Sequence, residues 1–139
     1  MVDWLATRHW SLRAAIAILT GVATALGFQP YGWWPLVPFG VAGLTLVVLA
    51  ASRVRGATGL GYLWGIGFLL LGVGWMQAIF VQAMVALVAI EACFFGLFGT
   101  LLKVAVRTRW WPLLAAACWT GVEFTYARFP FNGFGWMRL

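Results

Sequence analysis

An all-α membrane protein, a bundle of about five transmembrane helices with its N-terminus in and its C-terminus out, is the fold that the sequence predicts. Three observations lead there. Of the 139 residues, 64% are hydrophobic and only 9% charged, whereas a soluble domain carries about 25% charged residues. The few charges sit in short clusters between long apolar runs. The length also fits, because a span needs roughly 20 apolar residues, so five spans use about 100 and leave only short loops. This composition excludes an ordinary soluble globule. It also excludes disorder, which needs low hydrophobicity and high net charge.

The chain reads as one polytopic membrane domain over residues 1–139. A first apolar segment is expected at about 12–28, behind Arg8 and Arg13, and a second at 34–51. A stretch without charges except Glu91 then runs from Ala57 to Leu102. As one helix it would be about 69 Å long, against a hydrocarbon core of about 30 Å, so it must fold back once. The turn is expected between Trp75 and Gln82, where Gln77 and Gln82 are the strongly polar side chains, giving spans at about 57–76 and 82–102. The fifth segment is expected at 110–127.

Orientation follows from the cations. Arg8, Arg13, Arg53, Arg55, Lys103, Arg107 and Arg109 all fall in segments on one side of the alternating spans, leaving Arg128 and Arg138 on the other. Short loops rich in Lys and Arg stay cytoplasmic. The N-terminal basic and apolar stretch also has the start of a signal peptide, but no small-residue cleavage site precedes a hydrophilic region, so an uncleaved first span is expected.

The net charge of +6 is explained by this topology. No basic face with interleaved aromatics tracks a phosphate backbone, so no nucleic-acid partner is expected. Cys93 and Cys118 lie inside apolar runs without metal-ligand or redox spacing and are expected to be small buried packing residues. No metal or cofactor is expected. Gly61 and Gly65 form a GxxxG, with a matching small-residue row at Ala92, Gly96 and Thr100, which fits close helix packing within one bundle or between two copies.

Four polar side chains stand out. Glu91 sits near the middle of the fourth span, where a carboxylate either works or pins helix packing. Glu123 and Arg128 are expected to pair structurally at the outer end of the fifth span. His9, beside Trp10, reads as a plain interfacial residue. Two aromatic-proline loops face outward, from Gly27 to Pro35 and from Arg128 to Trp136. Proline cannot continue a helix, and Trp prefers the headgroup layer. Trp33, Trp34, Phe131, Phe134 and Trp136 are therefore the candidate residues of a shallow groove for lipid or for a partner docking from outside.

The strings themselves are more specific. Phe28-Gln29-Pro30-Tyr31-Gly32-Trp33-Trp34-Pro35, the glycine- and aromatic-rich run from Gly61 to Phe68 with Trp75, Trp119-Thr120-Gly121-Val122-Glu123, and Phe129-Pro130-Phe131-Asn132-Gly133-Phe134-Gly135-Trp136 follow one another in order. In that order they resemble the amino-terminal membrane part of the apolipoprotein N-acyltransferases. The resemblance implies a multi-pass protein of the bacterial cytoplasmic (inner) membrane. It also implies acyl transfer from phospholipid to the N-terminal cysteine of lipoproteins, by an extracytoplasmic nitrilase-like domain with a Glu, Lys and Cys triad that works through a thioester.

These 139 residues contain no stretch resembling that domain. Cys93 and Cys118 lie in spans where no base is placed to make a thiolate, and Lys103 is on the cytoplasmic side. No catalytic residue is therefore assigned. The chain is expected to be a truncated membrane portion of such an enzyme, inactive alone, with membrane phospholipid as its partner and a lipoprotein as the enzyme's substrate. The alternative is a non-enzymatic membrane anchor for a glycosyltransferase partner such as a polyprenol-phosphate mannosyltransferase.

Overall fold

The computed structural model describes residues 2–129, and within them the chain is helical throughout, without strands. A five-residue helix α1 (Val2–Ala6) is followed by α2 (Trp10–Ala25), α3 (Leu36–Ala50), α4 (Val54–Gly72), a 3-10 turn at Gly74–Ala78, α5 (Val81–Ala105) and α6 (Trp111–Tyr126). Local chemistry sets most of these limits. Proline at 35 precedes α3, and Pro112 occupies the start of α6, positions where the missing N–H costs nothing because first-turn amides have no intrahelical partner. The chain reverses between α4 and α5 at the 3-10 turn that contains Gln77, within the 75–82 stretch expected from the sequence.

Two differences from the sequence expectation have simple causes. The second helix stops at Ala25 because Phe28 turns inward, its ring 5.7 Å from that of Phe68 at 70°. The short α1, unforeseen in the sequence, is held by burial of Leu5 and by contact with α3. The thiols also correct an expectation. Cys93 is exposed on the outside of the bundle and Cys118 is half-buried, so neither is a fully buried packing residue.

The centre of the bundle is α4, which packs most extensively against α5 and α2, while α3 lies chiefly on α2 and α6 chiefly on α5. Glycines decide this arrangement. A Cβ on Gly21 would strike the Trp64 carbonyl and one on Gly67 the Ile18 carbonyl, so α2 and α4 touch backbone to backbone. On the other side of α4, Gly61 lies against the Phe95 carbonyl and Gly65 against the Phe95 ring. The GxxxG is thus occupied by α5 of the same chain. In lipid, where apolar surface gives no preference between helix and acyl chain, such close approach is what holds helices together. Beside it, the hydroxyls of Thr58 and Thr100 hydrogen-bond across α4 and α5 at 2.6 Å.

An aromatic cluster fills the core. The ring of Trp64 is stacked on Phe68 at 5.2 Å and reaches Phe95 at 5.2 Å and Trp119 at 6.0 Å. Phe95 lies 5.9 Å from Tyr126, which joins α6 to the rest.

Two helices, α4 with 19 residues and α5 with 25, are long and apolar enough to cross a membrane by length and composition. At 1.5 Å per residue, α2 and α6 with 16 residues each are about 24 Å long, and α3 with 15 residues is about 22 Å long.

Candidate lipid-facing site

The antiparallel order gathers most of the cations at one end. Lys103 Nζ donates to the Leu49 carbonyl at 3.0 Å, and Arg13 Nη1 to the Ala50 carbonyl at 3.1 Å. Two cations from neighbouring helices thereby satisfy carbonyls that the end of α3 leaves unpaired, at the negative pole of its dipole. The α2–α3 loop and the 3-10 turn lie at the opposite end, and there the candidate site is built.

The α2–α3 loop is compact. The Phe28 carbonyl accepts from the Tyr31 and Gly32 amides at 3.1 and 2.9 Å, and the Trp33 amide donates to the Leu26 carbonyl at 2.9 Å. Gly32 adopts φ 68°, in the left-handed region that favours glycine. This folding sends Phe28 into the core and leaves Trp33 and Trp34 outside, 58% and 72% exposed. Phe131, Phe134 and Trp136 lie outside the described residues.

Facing the loop is a cavity of about 460 Å³ that the sequence did not single out. Gln29, Pro30 and Tyr31 form one wall, and Leu70, Gly72, Trp75 and Gln77 the other. Trp33 and Trp34 are not among its lining residues. The lining thus combines two amides and a phenol with apolar side chains. Gln77 was legible as a polar break in the fold-back, but that it shares a cavity with Tyr31 is a tertiary fact.

A second cavity, about 450 Å³, opens between α3, α5 and α6, lined by Val37, Val41, Thr45, Phe98, Leu102, Ala115 and Trp119 among others. Its hydroxyls are spent within their own helices. Thr45 donates to the Val41 carbonyl and Thr120 to the Ala116 carbonyl, each at 3.0 Å. The wall therefore presents hydrocarbon, and suits hydrocarbon.

The remaining candidate polar residues are placed separately. Glu123 and Arg128 border one recess of about 190 Å³ with Thr120 and Phe124. The Arg128 guanidinium lies 3.5 Å from the Phe124 ring centroid and donates to the Phe124 carbonyl at 3.1 Å. Glu91 is 1% exposed, one helical turn before Phe95, and its Oε1 has no hydrogen-bond partner among the described residues.

The described residues do not assemble a nucleophile. Cys93 donates to the Ala89 carbonyl at 3.3 Å. The cavity beside Cys118 is lined by Phe94, Leu97, Leu101, Gly121, Val122 and Thr125, none of them titratable. Lys103 is engaged at the basic end. Among the described residues no three His, Cys, Asp or Glu side chains cluster as metal ligands. What the arrangement offers is an apolar-walled groove between α3, α5 and α6.

Comparison with known proteins is consistent along nearly the whole chain. Residues 20–139 match the family model described as "Apolipoprotein N-acyltransferase N-terminal domain". The chain is similar to the apolipoprotein N-acyltransferase of Nitrosomonas europaea, 32% identical over 145 residues, covering 94% of this chain and 28% of the relative. That of Vibrio cholerae is 30% identical over 149 residues with the same two coverages. That of Mycolicibacterium smegmatis is 37% identical over 100 residues, covering 70% of this chain and 17% of the relative. The chain thus spans at most about a quarter to a third of the length of these relatives, and within that span it belongs to the apolipoprotein N-acyltransferase family, of which it carries the amino-terminal domain.

Proposed function

We infer that this chain is the membrane-embedded amino-terminal portion of an apolipoprotein N-acyltransferase, in the bacterial inner membrane. The whole enzyme would transfer an acyl chain from phospholipid to the N-terminal cysteine of a lipoprotein. The observation that carries the reading is the family match over residues 20–139, on a chain whose described helices form one glycine-packed apolar bundle. In this reading all five helices from α2 to α6 span the bilayer, with the basic end cytoplasmic. The three shorter helices are accommodated by their flanking aromatics and by local thinning, which costs only fractions of a kcal/mol per Å of mismatch.

The part assigned to this chain is anchoring and lipid contact. The groove between α3, α5 and α6 accepts phospholipid acyl chains, and Trp33 and Trp34 lie at the outer headgroup layer. Phe131, Phe134 and Trp136 are proposed to extend that aromatic rim. By itself the 139-residue polypeptide transfers no acyl group, a reading supported by the lack of any titratable group in the cavity beside Cys118 and by the hydrogen bonding of Lys103 at the far end.

Reporter fusions and a chemical assay test this together. Fusions after Arg55 and Arg107 are expected to read cytoplasmic, and one after Gly133 external; a cytoplasmic signal after Gly133 would overturn the five-span arrangement. Incubation of the purified polypeptide with phospholipid is expected to leave Cys93 and Cys118 unacylated by mass spectrometry. A thioester on either would overturn the assignment of no catalytic residue.

A further inference from the structure

We propose that the basic end of the bundle is a binding surface for the headgroups of anionic phospholipids, formed by Arg53, Arg55, Arg107 and Arg109. The surface is distinct from the aromatic end and goes beyond the acyl-transfer reading. Tertiary structure puts these residues at the same end of the bundle. The Thr58–Thr100 hydrogen bond fixes the antiparallel register of α4 and α5, so Arg55 and Lys103, each three residues further toward the same end, stand at one level. The Lys103–Leu49 hydrogen bond then brings the α3–α4 loop, which carries Arg53, beside the segment after α5, which carries Arg107 and Arg109.

The charges at this end are not all equally available. Arg13 and Lys103 donate to the terminal carbonyls of α3, whereas Arg53, Arg55, Arg107 and Arg109 are exposed. Arg107 also follows Lys103 by four residues, a like-charge spacing that is unfavourable without a counter-ion. Asp3, in α1, is the single acidic residue in the segments at this end. The concentration of cations calls for an anion.

Its surroundings say which kind. Below Arg107 the outward side of α5 continues as Val104 and Leu97, 51% and 49% exposed. At the rim, Trp110 is 57% exposed, with the Arg109 guanidinium 4.8 Å from its ring centroid. A ligand that joins an anionic group to hydrocarbon satisfies both surfaces at once, and a soluble anion satisfies only the first. Basic residues beside a membrane-spanning helix attract anionic lipid in this manner.

The test uses the full chain purified in a neutral detergent and titrated with phosphatidylglycerol or phosphatidylcholine of equal chain length, with bound lipid counted by native mass spectrometry. Phosphatidylglycerol is expected to be retained preferentially, and the preference to shrink as salt screens the charges. Each arginine changed to glutamine is expected to weaken phosphatidylglycerol binding about fivefold, the equivalent of about 1 kcal/mol per basic residue near an anionic surface. The variant R53K/R55K/R107K/R109K is expected to keep the preference, which separates lost charge from lost folding. Equal retention of the two lipids, or undiminished phosphatidylglycerol binding by R53Q/R55Q/R107Q/R109Q, would overturn the proposal. So would displacement of the lipid by equimolar inorganic phosphate. None of these readouts depends on which side of the membrane the basic end faces, so their failure is distinguishable from failure of the five-span reading.

Discussion

The indole N–H of Trp64 donates to the carbonyl oxygen of Gly40 over 3.2 Å, tying α4 to α3 inside the bundle. Gly40 is there because a larger residue would strike Thr24 and the Thr20 carbonyl of α2. One glycine therefore serves two helices, admitting α2 on its Cα side and offering its carbonyl to α4. Trp64 is fully buried, so its N–H has no water to turn to.

Removing that tryptophan is expected to separate core from rim. Trp64→Phe keeps an aromatic ring but loses the donor, and should lower unfolding stability by about 1–2 kcal/mol. Trp64→Ala should cost about 3–5 kcal/mol. Trp34→Ala, at a site 72% exposed, should stay within about 0.5 kcal/mol of wild type. Denaturant titration in mixed micelles, followed by tryptophan fluorescence and circular dichroism, reads all three. Equal losses for Trp64→Ala and Trp34→Ala would contradict the central place of the aromatic cluster.

Glycine substitutions should sort by neighbour rather than by helix. Gly61→Ala drives a methyl into the Phe95 carbonyl and is expected to cost about 1–3 kcal/mol. Gly121→Ala, in α6 with nothing within 4 Å, is expected to stabilise by up to about 1 kcal/mol, since glycine loses more backbone freedom within a helix. The same unfolding titration decides. A stabilising Gly61→Ala would mean that α4 and α5 do not pack as described.

Glu91 provides a third test. Its buried Oε1 has no hydrogen-bond partner among the described residues, and exchanging an unpaired buried polar group for an apolar one of similar size is neutral or stabilising. Glu91→Leu is therefore expected to fold with stability equal to or above wild type. A loss greater than about 2 kcal/mol would show that the carboxyl holds a structural partner.

Much of this architecture was legible in the residues. Long apolar runs with few charges favour helices, and the helices α2 to α6 fall within or close to those runs, while Pro35 marks a break that no helix continues through. The split of cations between segments was also visible, because it is a property of the chain order. Of the residues expected in an aromatic groove, Trp33 and Trp34 are left exposed by the folded α2–α3 loop. The shared groove expected with Phe131, Phe134 and Trp136 rests on residues beyond the described ones.

What the sequence by itself determined was thus the class, the helix segments and the family, because composition, prolines and motif strings are local properties. The tertiary structure alone decided which face of each helix turns inward. In a soluble protein polarity marks that face, but lipid is as apolar as the core, so Trp64 and Trp34, or Cys93 and Ala92, carry no polarity signal that tells them apart. The deciding quantity is how closely two backbones can approach, and it exists only once Gly61 meets Phe95, Gly67 meets Ile18, and Gly40 meets both Thr24 and Trp64.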